Sequence, residues 1–403
     1  MGRKRELRIT RVLFTTVGTA GDVLPLLRIG RRLVERGHEV SLLTHFGFRT
    51  LTEEAGLEFA AIDDAEQHAR SLEDGPLVNT PRGIVEFMRR HYMPRVIGEY
   101  ERIRERCRPD TVVVARDLFD LGARLAAEKL GIPVLWIFIS PSQLEGGDLR
   151  LALFSEALAA DVQSLRGSLG LRPVSDWAAW LTYPGRNAAI WPAWFAAPDS
   201  AWAAEVEPVG FILDNEGERA EIPEELEQSL RAGERPVLIT GGSGTFVGAG
   251  FFESSVEACV RSDRSAILAT PFDELVPSDL PPSVRRYSHL PLGKLMPQMD
   301  VVIHHGGRGT MSCALSAGTP QVVLASGADR PWNALRLEEL GVGKYLARPA
   351  WSAEAVGQAL ESASSPSMRD RCREIAGRFR GVDSVGAACR LIEEAAARHA
   401  RVP

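Results

Sequence analysis

Apolar positions along the chain switch repeatedly between short continuous runs and helical spacing. Arg11–Val17 is a run of apolar and β-branched residues that reads as a buried strand, and Gly18–Asp22 reads as the turn that ends it. Val23, Leu26, Leu27, Gly30, Leu33 and Val34 then recur at helical spacing until Gly37 stops the helix. Glu39–Leu43 is the next strand, so residues 11–44 form one strand–helix–strand unit. Thr111–Ala115 and Pro133–Ser140 predict further buried strands, with a helix over Leu121–Leu130 between them. Strands separated by helices imply a parallel, doubly wound sheet. The acidic stretch 214–235 interrupts this pattern and reads as a linker plus a short helix. The alternation then restarts with a strand over Pro236–Thr240, a glycine loop over Gly241–Thr245, a helix over Phe252–Arg261 and a strand over Ala266–Ala269. Asp300–His304 is another strand, followed by a second glycine loop and a helix over Thr310–Ala317. An amphipathic helix over Val382–Ala400 ends the chain. The expectation is an α/β protein of two Rossmann-like domains, 1–213 and 236–381, joined by the linker 214–235 and followed by a terminal helix within 382–403.

Length agrees with that division, since 403 residues exceed one comfortable core and suit two ordinary α/β domains. A net charge of −6 argues against a nucleic-acid partner, which needs a clustered basic surface. No apolar run approaches the ~20 residues that span a bilayer, and no signal core follows the basic first residues. Five cysteines, widely spaced and without a Cys-x-x-Cys pair, fit reduced cytoplasmic thiols rather than a disulfide frame or a zinc site.

One segment departs from the alternation. Residues 177–202 hold Trp177, Trp180, Tyr183, Trp191, Trp194, Phe195 and Trp202, with prolines at 184, 192 and 198. Two readings stand: an irregular segment packed under an inter-domain joint, or an aromatic wall for a lipophilic small molecule.

The strongest chemical signal is His304-His-Gly-Gly-Arg-Gly-Thr310. A strand delivers it and a helix leaves it, so unpaired N–H groups and the positive end of a helix dipole face whatever binds there. Glycines let a phosphate approach the backbone, and an imidazole adds a donor. A structural turn is the bland alternative, and two histidines ending a buried strand weigh against it.

The block from His289 to Gly343 resembles the donor-binding region of family 1 glycosyltransferases of the GT-B fold, in which a histidine leads a His-x-Gly-x-Gly-[Ser/Thr] run. Here His305 matches that histidine, with Gly307, Gly309 and Thr310 behind it. The resemblance spans nearly the whole chain. Gly18-Thr-Ala-Gly-Asp-Val-Leu-Pro25, Arg36-Gly-His-Glu-Val40 and Trp191-Pro-Ala-Trp-Phe-Ala-Ala-Pro198 are similar to the other half, nearest to bacterial natural-product, rhamnolipid-type and sterol enzymes. It implies two Rossmann-like domains facing a cleft, with the terminal helix crossing back to the first. It also implies an inverting transfer from a nucleotide-sugar to a hydroxyl of a lipophilic acceptor, a secondary metabolite by this likeness. No cofactor is implied, and metal-independence follows because no Asp-x-Asp accompanies the loop.

The resemblance assigns roles residue by residue. His305, Gly307, Gly309 and Thr310 fall on the donor diphosphate, and Ser243 on its far side, where a turn-forming serine is an equal reading. His289 and Leu290, in His289-Leu-Pro-Leu292, stand where relatives hold the nucleobase. Arg308 either supports the diphosphate or is a solvated surface charge. Asp329-Arg330 replaces an Asp-Gln pair that holds the sugar; arginine only donates hydrogen bonds, so the sugar stays open. Cys313 replaces a glutamate that grips both ribose hydroxyls in many relatives, which favours a dTDP- over a UDP-sugar. Asp22 takes the place of the catalytic base after the first strand, where it is also a favoured helix N-cap. Asp117 resembles the aspartate that orients a catalytic histidine, and beside Asp22 it either holds a proton or solvates a loop. His38 and His45 lack catalytic placement and read as structural. Acceptor-binding residues are not legible. Two rivals remain: a non-catalytic sugar-nucleotide-binding protein of this fold, and a GT-B epimerase, which would need no acceptor pocket.

Overall fold

The computed structural model describes residues 10–117, 119–202, 204–213, 221–244 and 247–399. The first part of the acidic stretch expected as a linker (214–220), Thr245 of the first glycine loop, and both chain ends lie outside the described residues.

Two all-parallel sheets organise the chain. The first holds β1 (Arg11–Thr15), β2 (Glu39–Thr44), β3 (Glu58–Ala61), β4 (Thr111–Arg116), β5 (Val134–Phe138), β6 (Tyr183–Ala189) and β7 (Ala204–Pro208), in the order β3-β2-β1-β4-β5-β6-β7. The second holds β8 (Val237–Thr240), β9 (Ala266–Ala269), β10 (Val284–Tyr287), β11 (Val302–His304), β12 (Gln321–Ala325) and β13 (Gly343–Ala347), in the order β10-β9-β8-β11-β12-β13. These are two Rossmann-like layers. Each sheet grows one way from its first strand and then crosses to the other side, which places a switch point between β1 and β4 and another between β8 and β11.

The strands form where runs of Val, Leu, Ile and Phe are buried on both faces, as a parallel sheet requires. Every residue of β4, β8, β9, β11 and β12 is buried. The helix Ala20–Glu35 packs Val23, Leu26, Leu27, Ile29 and Leu33 onto the first sheet. On that same cluster lies the last helix, Ser384–His399, through Ala388, Cys389, Leu391 and Ile392, with Glu393 bonded to Arg36 at 3.0 Å. Compact grouping follows: the described residues up to Ser71, Val85–Ile212 and that last helix form one unit, while Leu72–Ile84 and the described residues of Leu213–Val382 form the second.

Within the acidic stretch, the helix Glu224–Arg231 buries Leu226 and Leu230 in the second unit's core, against Leu238, Ile267 and Met296. The tryptophan-rich segment is more regular than its prolines suggest. It contains the short helix Trp177–Trp180 and β6, whose register shifts between Tyr183 and Arg186. Its aromatics divide into groups: Trp177 edge-on to Trp180, Trp191 edge-on to Trp202, and Trp194 and Phe195 against Phe211.

Candidate functional site

At the first switch point, β1 and β4 run side by side with Thr15 opposite Ala115, so the loops that follow them emerge together. The β1 loop carries Asp22 and the β4 loop carries Arg116 and Asp117. Thr19, not Asp22, is the N-cap of the helix Ala20–Glu35. Asp22 sits one turn in, where its Oδ2 accepts the Thr19 N–H at 2.7 Å, the reciprocal half of a capping box. Its Oδ1 lies 2.9 Å from Nη1 of Arg116, which also donates to the Val17 carbonyl at 2.6 Å. Gly18 permits this packing: at φ +130° a side chain is disfavoured, and a Cβ there would collide with the Asp22 carboxylate.

A second clamp holds the loop from the other side. The Gly18 N–H donates to Nε2 of His45 at 3.0 Å, so the His45 proton sits on Nδ1 and is donated to Asp63 at 2.5 Å. Asp63 also accepts from the Phe46 N–H and faces Arg95 at 3.1 Å. Burial alone would raise the Asp63 carboxyl, but these partners hold it below its ordinary value. His45 is therefore a fixed part of the loop's support.

Beneath Asp22 the carboxyl groups behave differently. Asp117 is buried and bonded by the Phe119 N–H and the Gln143 amide, and burial raises it despite Arg116. Deeper still, Glu99 accepts from Thr15 and the Gly122 N–H, and burial pushes it up to about 7. Asp120, which accepts the Arg116 N–H, is raised well above its ordinary value by burial and by Glu99.

At the second switch point β8 and β11 pair with Thr240 opposite His304, bringing the loops 241–244 and 305–307 together. His304 is fully buried: it accepts the Gly306 N–H on Nδ1 at 3.1 Å and bonds Gln321 through Nε2 at 3.0 Å. Burial pushes it down to about 4, so it is a neutral strut. His305 is half-buried, and its imidazole is boxed between Gly242 and Gly307, at each of which a Cβ would strike the ring. Burial, then Arg330 and His304, hold it well below the usual histidine range, and its Nδ1 has no hydrogen-bond partner among the described residues. Gly307 caps the helix Arg308–Ala317 without a side-chain bond, and no acidic residue occupies the first turn. The positive end of the helix dipole and a neutral imidazole thus converge where an anion can bind.

The β12 loop completes this edge. Asn333 donates at 3.0 Å both to the Gly306 carbonyl and to Asp329, tying the Asp329 carboxylate to the histidine loop. Arg330 is buried and turns to Asn79 Oδ1 at 3.0 Å and to the Gly327 carbonyl at 3.2 Å. Burial pulls its guanidinium below the ordinary range, with Asp329 opposing. Ala328 holds φ +50°, a left-handed conformation rare for alanine, so the loop stores strain beside these groups.

The residues marked in sequence therefore fall on two edges. Asp22 and Asp117 share one; Gly307, Gly309, Thr310, His305, Asp329 and Arg330 share the other. Arg308 is only 6 % exposed, which rules out a solvated surface charge. Ser243 and His289 are exposed, and Leu290 packs at the rim of the second unit's core. Sequence reasoning missed Arg116, Gly242, Asn79 and Asn333. Gly242 lay in a glycine loop already noted, whereas the others carried no local signal.

Comparison with known proteins agrees with this architecture. The sequence model of the glycosyltransferase family 28 N-terminal domain matches residues 12–137, and that of the erythromycin biosynthesis protein CIII-like C-terminal domain matches residues 255–378. Glycosyltransferase GtfE of Amycolatopsis orientalis is 30% identical over 396 residues, covering 91% of this chain and 93% of its own. The chain belongs to the GT-B glycosyltransferases. The dTDP-epi-vancosaminyltransferase of the same organism is 27% identical over 393 residues, covering 91% and 92% of the two chains. In fold, the glycosyltransferase is similar to the calicheamicin glycosyltransferase CalG4, with a TM-score of 0.72 at 20% identity over 97% and 99% of the two chains. The curated relatives include a vancomycin aglycone glucosyltransferase and sterol 3-beta-glucosyltransferases, and the reaction of this glycosyltransferase is glycosyl transfer. Among its described residues no helix is long and apolar enough to cross a membrane.

Proposed function

We propose that this glycosyltransferase moves a sugar, with inversion, from a dTDP-sugar to a hydroxyl of a lipophilic small molecule. The observation that carries the reading is the boxed His305 ring beside the glycine-capped N-terminus of Arg308–Ala317. That pair supplies the donors a diphosphate needs without a metal, and the leaving nucleoside diphosphate gains charge there as the glycosidic bond breaks. Asp22 takes the acceptor proton while the acceptor oxygen bonds to the anomeric carbon. Cys313 in place of the ribose-gripping glutamate supports dTDP over UDP, as does the likeness to a transferase named for a dTDP-linked sugar. Incubation with dTDP- and UDP-sugars and a panel of hydrophobic alcohols, followed by mass spectrometry, tests the reading. Product is expected with dTDP-sugars and in the presence of EDTA. Donor binding without any glycoside would favour the non-catalytic rival, and EDTA-sensitive turnover restored by magnesium would remove the metal-free diphosphate site. Asp22→Asn keeps an amide oxygen for the Thr19 N–H and should stay folded, melting lower than the parent because the charge facing Arg116 is lost, while losing turnover by orders of magnitude; near-parental turnover would leave Asp22 only its capping role.

A further inference from the structure

The buried guanidinium of Arg116 has more work than a surface ion pair would give it. Its Nη1 reaches both the Val17 carbonyl at 2.6 Å and Asp22 Oδ1 at 2.9 Å, and its plane lies over the Phe119 ring, 5.1 Å from the centroid. The nearer of its two ion-pair partners is Asp22, since Asp117 Oδ1 stands 4.0 Å from Nε. The deeper carboxyls Glu99 and Asp120 are driven toward the neutral form by burial, as is Asp117, so they balance its charge poorly. Burial opposes the charge on Arg116 itself, but its neighbours, Asp22 foremost, outweigh that and keep it protonated.

We propose that Arg116 is a positioning residue for the transfer, one that fixes the plane of the Asp22 carboxylate against the β1 loop. The Thr19 N–H holds Oδ2 and Arg116 holds Oδ1, so the carboxylate has no freedom to rotate, and its remaining lone pairs point in set directions. The Val17 bond ties the same guanidinium to the strand end, which makes the geometry of the base a property of the sheet edge rather than of one rotamer. This inference rests on Asp22 being the base. Arginine suits the position because Nη1 belongs to a planar, conjugated group whose two hydrogens point in fixed directions, toward the carbonyl and the carboxylate, whereas an ammonium on a flexible stem turns freely.

The test is a double-mutant cycle of Arg116→Lys and Asp22→Asn, assayed with dTDP-glucose and 4-methylumbelliferone. Lysine keeps the buried positive charge beside Asp22, so the fold holds, which a melting curve checks. Misplacing a reacting group by about 1 Å costs roughly 100-fold, and Arg116→Lys is expected to lower kcat by that order with little change in the donor KM. In the Asp22→Asn background the same substitution should lower the residual rate no further, because a residue acting through Asp22 has nothing left to position. An equal loss in both backgrounds, or parental kcat in Arg116→Lys, would overturn the role of Arg116 while leaving Asp22 as base. Parental turnover in Asp22→Asn would instead remove the base, and the positioning role with it.

Discussion

Two glycines and one asparagine illustrate how single positions shape the donor edge. Gly242 holds φ +81° and leaves room for the His305 ring, which a methyl group would strike. Gly242→Ala therefore meets both a disfavoured backbone conformation and a collision, each of which displaces the imidazole. Titration of the variant with dTDP by calorimetry should show at least a ~10-fold loss of affinity, the 1.4 kcal/mol that one displaced hydrogen-bonding ring represents. Unchanged affinity would separate His305 from the diphosphate. Asn79 lies in Leu72–Ile84, a segment from the first half of the sequence that joins the second unit, and it accepts from Arg330 while pressing on Gly327. Asn79→Ala leaves a buried guanidinium short of one acceptor, so the variant should be destabilised by about 1–3 kcal/mol in urea unfolding. A variant as stable as the parent would show that the Asn79–Arg330 bond holds nothing in place.

Strands and helices explain why the histidine loop is rigid before any ligand arrives. His304 ends β11 with both ring nitrogens engaged, one by the Gly306 N–H and one by Gln321. It is fully buried and pushed down to about 4 from an ordinary 6.5. Between those values the unfolded chain binds a proton that the folded chain does not, so stability falls as the solution is acidified through that window. Above about 6.5 the contribution is complete, and the shift corresponds to about 3 kcal/mol. His305 works in the same direction. Calorimetry should show the second unit's melting temperature dropping between pH 6.5 and pH 4, and His304→Gln should flatten that slope. A variant with the parent's slope would locate the acid sensitivity elsewhere. In the first unit Glu99 has the opposite sign: its carboxyl is raised to about 7, so its contribution is present at low pH and lost as pH rises from about 4.5 to 7.

For the molecule as a whole, the last described helix belongs to the first unit. The helix Ser384–His399 packs beside Ala20–Glu35 and against β4, with Leu391 and Ile392 almost wholly buried and Glu393 joined to both Arg36 and His38. Truncation after Asp383 exposes those two side chains and the apolar face beneath them, a loss on the order of 4 kcal/mol at 1.5–3 kcal/mol per buried aliphatic residue. Hydrogen exchange should then show lost protection in Ala20–Glu35 and β2, with β8 and β11 of the second unit unaffected. Retained protection in Ala20–Glu35 would show that the first unit is stable without its last helix.

The strand–helix alternation, the two sheets and the histidine–glycine loop were legible because each is written locally. Runs of Val, Leu and Ile at β1, β4, β8 and β11 read as buried strands, and His305-Gly-Gly-Arg-Gly-Thr310 needs no partner to be read as a helix start. The helix Leu121–Leu130 was legible to the residue, since Gly131 adopts the left-handed conformation that ends it. What sequence spacing could not supply was the company each residue keeps. Asp22 looked like an N-cap because the pattern favours aspartate at a helix start; the fold gives the cap to Thr19 and Asp22 to Arg116, 94 positions away by chain number. β6 hid among prolines and tryptophans because an edge-side strand with three exposed residues has no continuous apolar run. Arg330 met Asn79, 251 positions distant, and His305 met Gly242 through strands that pair only once the sheet forms. Periodicity is a property of neighbours along the chain, and it determined the elements; ion pairs and close approaches depend on which strand ends come together, and that only the sheet order decided.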